Sequence, residues 1–186
     1  MKAGCSAAQI QAAYLRGWIA ARDAYQVGGS PDSLKAVETA IALLNRSGEQ
    51  VAVYVLQAAE AAAQSERESL ALFIEQAVQL EAVRLSAGQT PALIVTAHEA
   101  AGDLWLQVHR YEDARRAYVR AAERIGATRR ITLGLARVAA RLKDVDEACR
   151  QYAALAAAWK DPRHQPIEIG EAIRFPQDFR CPPSGR

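Results

Sequence analysis

The stretch Ala101-Gly102-Asp103-Leu104-Trp105-Leu106-Gln107-Val108-His109-Arg110-Tyr111-Glu112-Asp113-Ala114-Arg115-Arg116-Ala117-Tyr118-Val119-Arg120-Ala121 returns in altered form from Leu135 to Leu155. The offset is 34 residues. Val108 falls on Leu142, Ala114 on Ala148, Arg116 on Arg150 and Tyr118 on Tyr152, while the acidic pair Glu112-Asp113 falls on Asp146-Glu147. The matches mix small, aromatic and acidic residues, so alanine richness alone does not produce them. A fixed period of this length marks a stacked array of small supersecondary units. Within each copy the apolar residues keep helical spacing and are interrupted once, at His109-Arg110 in the first. Each copy therefore reads as two helices joined by a short turn, which forces them antiparallel.

Working outward, the same helical period covers nearly the whole chain. The first helix runs from about Ala7 to Gln26 and breaks at Gly28-Gly29-Ser30-Pro31-Asp32. There Ser30 is a candidate N-cap, with Pro31 at the first helical position. The second spans roughly Pro31 to Asn45 and the third roughly Glu49 to Gln64. Ser65-Glu66-Arg67-Glu68 has the form of a capping box and opens the fourth, which ends near Ala87-Gly88. Thr90-Pro91 opens the fifth, Ile125-Gly126 ends the sixth, and the seventh covers about Thr128 to Leu142. Asp144-Val145-Asp146-Glu147 is a second capping-box candidate and starts the eighth, ending near Trp159-Lys160. No segment alternates with period two over a useful length. The expected fold is all-α: about eight helices in four antiparallel hairpins, filling residues 1–160. The clearest repeats occupy about 95–127 and 129–160. From Asp161 to Arg186 the chain changes character. Pro162, Pro166, Pro176, Pro182 and Pro183 exclude a long helix. Yet Ile167, Ile169, Ile173, Phe175 and Phe179 are too apolar for a free linker. This tail is expected to pack on or cap the domain, with one short helix around Glu168 to Arg174.

Composition agrees. Hydrophobic residues make up 51% but aromatics only 6%, because much of the apolar content is alanine. Alanine favours helix and lets helix axes approach closely. The bias toward Arg and Ala suggests a GC-rich bacterial genome. A formal net charge of +2 is too small to argue for nucleic acid. No apolar run is long enough for a transmembrane helix.

The segment from Gly102 to Ala121, with Tyr111-Glu112-Asp113-Ala114 followed by Tyr118 and Ala121, resembles the tetratricopeptide-repeat family, whose unit is also 34 residues. The resemblance has a steric content. Gly102 and Ala114 stand where two helices of a hairpin touch, and Tyr118 fills the space toward the next unit. The second copy departs, with Ala136 at the glycine position and Leu155 at an alanine position. The family's early Trp is replaced by His98 and Thr132, and its closing proline by Gly126 and Lys160. The register is looser before residue 95. Ala58, Ala61, Leu70, Ile74 and Ala77 fit an earlier unit, and the step from Ala77 to Ala121 is 44 residues, so a longer fourth or fifth helix intervenes. The resemblance implies a short right-handed α-solenoid that binds a protein or peptide in a concave groove. The groove positions it implies are Glu99, Asp103, Leu106 and Gln107 on the fifth helix, and Arg130, Leu133, Arg137, Ala140 and Arg141 on the seventh. Arg130, Arg137 and Arg141 share one helical face. They read either as a basic patch for an acidic peptide or carboxylate, or as structural, with Asp103 pairing its repeat-equivalent Arg137.

Signals for catalysis are poor. His98 and His109 have no carboxylate or cysteine at metal-ligand spacing and read as structural. No phosphate-binding loop or dinucleotide fingerprint occurs, so no cofactor or metal is expected. Glu60, Glu66, Glu68, Glu75 and Glu81 read as solvated faces, as do Arg115, Arg116, Arg120 and Arg124; Trp18, Trp105 and Trp159 read as packing residues. Cys5, Cys149 and Cys181 read as reduced thiols, or as a Cys5–Cys181 disulfide if the termini meet in an oxidising compartment. Ala3-Gly4-Cys5-Ser6 matches the end of a bacterial lipoprotein processing site, making Cys5 a candidate for lipidation. The expected function is a non-enzymatic scaffold or adaptor. The alternatives are an envelope lipoprotein that helps assemble a multiprotein machine, or a secretion chaperone. The expected compartment is the bacterial cytoplasm, or the periplasm and outer membrane if Cys5 is lipidated. Open ends of stacked hairpins also point to self-association.

Overall fold

A computed structural model describes residues 6–28, 30–89, 93–159, 167–179 and 181. Among the described residues every regular element is a helix, and the protein is all-α. The order is α1 (Ala7–Gln26), α2 (Pro31–Ser47), α3 (Gln50–Ala63), α4 (Arg67–Ser86), α5 (Ala97–Gln107), α6 (Tyr111–Ile125), α7 (Arg129–Arg141), α8 (Val145–Ala157) and α9 (Ile167–Asp178). No helix is long and apolar enough to cross a membrane among these residues. The chain divides into two compact units, Met1–Leu104 and Trp105–Arg186, with the division inside α5.

In the first unit α1 packs on α2, α3 on α4, and α3 also touches α1 and α2. Helix α3 is apolar on most of its circumference, with Val51, Val53, Val55, Leu56, Ala58, Ala59 and Ala62 all buried. A helix of that kind belongs inside a bundle. Gly17 sits where α1 meets it, because a Cβ there would lie 2.5 Å from Leu56 Cδ1 and 2.9 Å from Ala40 Cβ.

Five turns repeat one geometry, two at Gly48 and Gly88 and three at residues other than glycine. Ser65, His109 and Lys143 adopt positive φ of 64°, 61° and 63°, a conformation uncommon outside glycine. At each, that residue's N–H bonds the carbonyl three back, and the next N–H bonds the carbonyl five residues before itself: Ser65 to Ala62 and Glu66 to Ala61, His109 to Leu106 and Arg110 to Trp105, Lys143 to Ala140 and Asp144 to Ala139. This is a Schellman closure of the first helix that delivers the chain directly into the second. Seven residues before Ser65, His109 and Lys143 stand Ala58, Gly102 and Ala136, all buried. Five, nine and twelve residues after stand Leu70, Ala114 and Ala148, then Ile74, Tyr118 and Tyr152, then Ala77, Ala121 and Leu155, every one at most 3% exposed. The register that is clear after residue 95 therefore extends back through α3 and α4. The ten extra residues of the 44-residue step lie in α4, which has 20 residues against 15 in α6, and in the segment before α5.

Several boundaries differ from expectation. Ser65 is not an N-cap: it occupies the left-handed turn, and α4 begins after Glu66 without a side-chain cap. Asp144 does cap α8, accepting from Glu147 N–H at 3.2 Å, but the Glu147 side chain turns outward to Arg150 and Gln151. Helix α5 begins at Ala97 and not at Thr90-Pro91, which lies outside the described residues. The tail helix is longer than expected, from Ile167 to Asp178, with Pro176 inside its last turns.

Candidate functional site

Two clusters of polar side chains stand out, one in each unit. The first secures the start of α5. Thr96 and Glu99 form a reciprocal cap: Glu99 N–H donates to Thr96 Oγ1 at 3.1 Å, and Thr96 N–H donates to Glu99 Oε2 at 3.3 Å. From α4, the Glu81 carboxylate accepts from Ala97 N–H at 3.0 Å and His98 N–H at 3.1 Å, and lies 2.5 Å from His98 Nδ1. Glu81 and His98 are only 3% and 4% exposed. Here a buried carboxylate serves as an N-cap supplied by another helix, placed where unpaired amides and the helix dipole favour negative charge. Tyr14 Oη donates to Val95 at 2.8 Å and ties the preceding segment to α1.

Two expectations are corrected at this cluster. Glu81 is not on a solvated face; it falls in the stripe Leu70, Ile74, Ala77, Glu81 that α4 turns inward. That spacing is visible in the sequence and could have flagged it. Glu99 does not line a groove: it is 5% exposed and is consumed in capping. The Thr-x-x-Glu pattern at 96–99 was the signal.

The second cluster joins α7, α8 and α9. The Arg137 guanidinium grips the Glu171 carboxylate through Nε, at 3.2 and 3.1 Å to its two oxygens, and through Nη2 at 2.7 Å. Tyr152 Oη donates to the same carboxylate. Burial alone would raise the Glu171 pKa, but the hydrogen bonds from Arg137 and Tyr152 and the charges of Arg137 and Arg174 outweigh it and hold the group below its usual value. The Tyr152 phenol is pushed up, first by burial and then by its bond to Glu171 and that carboxylate's charge. Around this polar contact α9 buries Ile169 and Ala172 against Leu133, Ala136, Ala139, Ala148, Tyr152 and Leu155. Tyr152 packs on Phe175 with ring centroids 4.6 Å apart, and Phe175 stacks on Phe179 at 4.4 Å. A Cys149–Cys181 disulfide, with Cα atoms 5.6 Å apart, fastens the end of α9 to α8. The cysteines are therefore neither all reduced nor paired as Cys5–Cys181. Cys5 lies outside the described residues.

Of the expected groove residues, Arg137 and Arg141 carry charges that partly offset the rise of the Tyr152 pKa. Arg137 is 41% exposed and occupied by Glu171. Arg130, Asp103 and Gln107 are half-buried and Arg141 is exposed. The basic stripe of α6 is exposed, with Arg115 paired to Glu112 and Arg116 to Asp113 on its own helix. Trp18 is buried, Trp105 packs against the cluster that contains Tyr118, and Trp159 packs against the cluster that contains Tyr152, with the Arg129 guanidinium 5.1 Å from its ring centroid.

Counting back 34 residues explains the second cluster. Gly170 falls on Ala136 and Gly102, Ala172 on Val138 and Leu104, and Glu171 on Arg137 and Asp103. Arg137 therefore pairs with the residue 34 positions onward, although the left-handed turn is not repeated there, since Gln177 lies within α9. Comparison of the chain with family models, with curated proteins and with solved structures returns no match.

Proposed function

We propose that the chain is a helical-repeat scaffold of tetratricopeptide type that binds a protein or peptide partner and performs no catalysis. One observation carries this reading: the left-handed turns at Ser65, His109 and Lys143 share the same closing hydrogen bonds and are flanked at the same spacings by buried residues, a small one seven positions before and apolar ones five, nine and twelve positions after. A stacked array of such hairpins, as the resemblance implies, would suit an extended partner. The basic side chains of α7 favour an acidic partner. Arg130 and Arg141 test this better than Arg137, whose loss would also disturb α9. Partner capture from the native host, followed by mass spectrometry, should fail for an Arg130→Ala, Arg141→Ala double variant. Full retention by a folded double variant would remove the α7 face from the reading.

The Cys149–Cys181 disulfide favours a second reading of location, since such bonds persist mainly in oxidising compartments. This supports the alternative of an envelope protein that helps assemble a larger machine. Alkylation of native cells before lysis tests it; two free thiols at Cys149 and Cys181 would place the chain in a reducing compartment.

A further inference from the structure

We propose that Arg137 and Tyr152 form a receptor for a carboxylate on a helical acidic segment, that α9 fills it from within the chain through Glu171, and that the Cys149–Cys181 disulfide is the latch that keeps it filled. The inference deepens the scaffold reading by naming the ligand chemistry and the control of one binding face.

Three observations support it. The receptor is built for its ligand: a guanidinium fork and a phenol hydroxyl converge on one carboxylate, beside an apolar floor of Leu133, Ala136 and Leu155. Two parallel donors from arginine give this recognition its geometric selectivity. Second, the occupant is weak on its own. Helix α9 has 12 residues and contains Gly170 and Pro176, the two residue types least favourable inside a helix. Nothing lies within 4 Å of where a Gly170 Cβ would stand, so packing does not demand glycine there. Third, the tether sits at the end of this weak helix, where losing it frees the most chain. Cys149 is 5% exposed, whereas Cys181 is partly exposed, so an attacking thiol reaches Cys181 first.

The chemistry of release balances with a dithiol reductant. One thiolate of the reductant attacks Cys181 Sγ, the Sγ–Sγ bond breaks, and Cys149 leaves as a thiolate that takes up a proton. The second thiol of the reductant then displaces Cys181 from the mixed disulfide. Two electrons pass to the protein, giving two thiols, and the reductant leaves as a disulfide. Among the described residues helix α9 is then held by its packing and by Glu171, and an acidic helix from a partner competes for Arg137 and Tyr152.

The test uses the full chain and a labelled synthetic peptide of residues 167–179 as the probe. Polarisation should report at least tenfold tighter binding to the reduced chain, and to a Cys181→Ser variant without reductant, than to the oxidised chain. The peptide carrying Glu171→Gln should lose that binding. Hydrogen exchange of the α9 amides should accelerate at least tenfold on reduction, and Gly170→Ala should blunt both effects by strengthening the internal occupant. Equal binding to oxidised and reduced chains, no binding to either, or equal binding of the Glu171→Gln peptide would overturn the proposal. The probe is the chain's own sequence, so these outcomes stand whether or not the Arg130 and Arg141 face binds a native partner.

Discussion

Replacing Gly134 by alanine probes how tightly α6 and α7 interlock. A Cβ on Gly134 would lie 2.2 Å from Tyr118 Cζ, and 2.5 and 2.6 Å from its Cε1 and Cε2. Carbon atoms in contact prefer about 3.5–4.0 Å, so the helix and the ring must separate by more than about 1 Å. Tyr118 is 1% exposed and set among Ala114, Ala121, Ile131 and Val138, leaving it no solvent to retreat into. Overpacking of this kind costs roughly 1–3 kcal/mol, and the short distances put this site at the upper end. Alanine returns about 1 kcal/mol through its helix propensity. The net loss should be about 2 kcal/mol, which lowers Tm by about 4–8 °C for a chain of this length. Circular dichroism melts would read it. Gly170→Ala is the control: with open space around it, the same substitution should leave Tm unchanged or raise it. Trimming the ring with Tyr118→Leu should recover part of the loss, giving a coupling of about 1–2 kcal/mol in a double-mutant cycle. A Gly134→Ala variant as stable as its parent, or a cycle with no coupling, would refute the packing argument.

Glu81→Ala removes the buried side chain that caps α5 and leaves the Ala97 and His98 amides without that acceptor, and should cost about 1–3 kcal/mol, with faster amide exchange at Ala97 and His98 as the local readout. Cys181→Ser opens a covalent loop whose ends are 32 residues apart, and the chain-entropy estimate for it is about 3–4 kcal/mol, readable by denaturant melts of the second unit. Because the Glu171 pKa is held down in the fold, its contribution is complete above the unfolded value near 4.5 and is lost as pH falls through the folded value; Glu171→Gln should flatten that acid limb of the stability profile. Glu60 has the opposite sign. Burial, then Glu38 and Glu66, raise its pKa, so its charge is a penalty at neutral pH; Glu60→Gln should stabilise the protein at pH 7, with the gain fading below about 4.5.

Helical hairpins were legible because the chain states them twice over, in helical period and in the 34-residue repeat. The turns were placed correctly at His109 but misread at Ser65, where Ser-Glu-Arg-Glu imitates a capping box. Local hydrogen-bonding chemistry suggested one structure, and the repeat register, in which Ser65 aligns with His109 and Lys143, decided another. Glu99 failed for the complementary reason. Family register assigned it to a groove, while Thr96 two residues before His98 made it a cap. The disulfide could not be read from spacing, because pairing depends on α9 lying against α8, and that packing rests on Ile169, Ala172 and Phe175 in a tail whose prolines obscure its helix.

One register slot links these findings. It holds Asp103, Arg137 and Glu171 in successive copies, so its charge alternates in sign from unit to unit. At the junction inside the second unit the alternation becomes a bidentate ion pair that is partly exposed, with Arg137 41% and Glu171 30% open to solvent. Solvent screens a pair so open to water, and the forked Arg137 contact together with the Tyr152 hydroxyl is what sustains it. Its value lies in choosing what can follow α7: a helix presenting a carboxylate at this slot is accepted, and one presenting a cation is repelled. On the proposal above, any helix that takes the place of α9 has to meet the same requirement that Glu171 meets, a carboxylate presented to Arg137 and Tyr152.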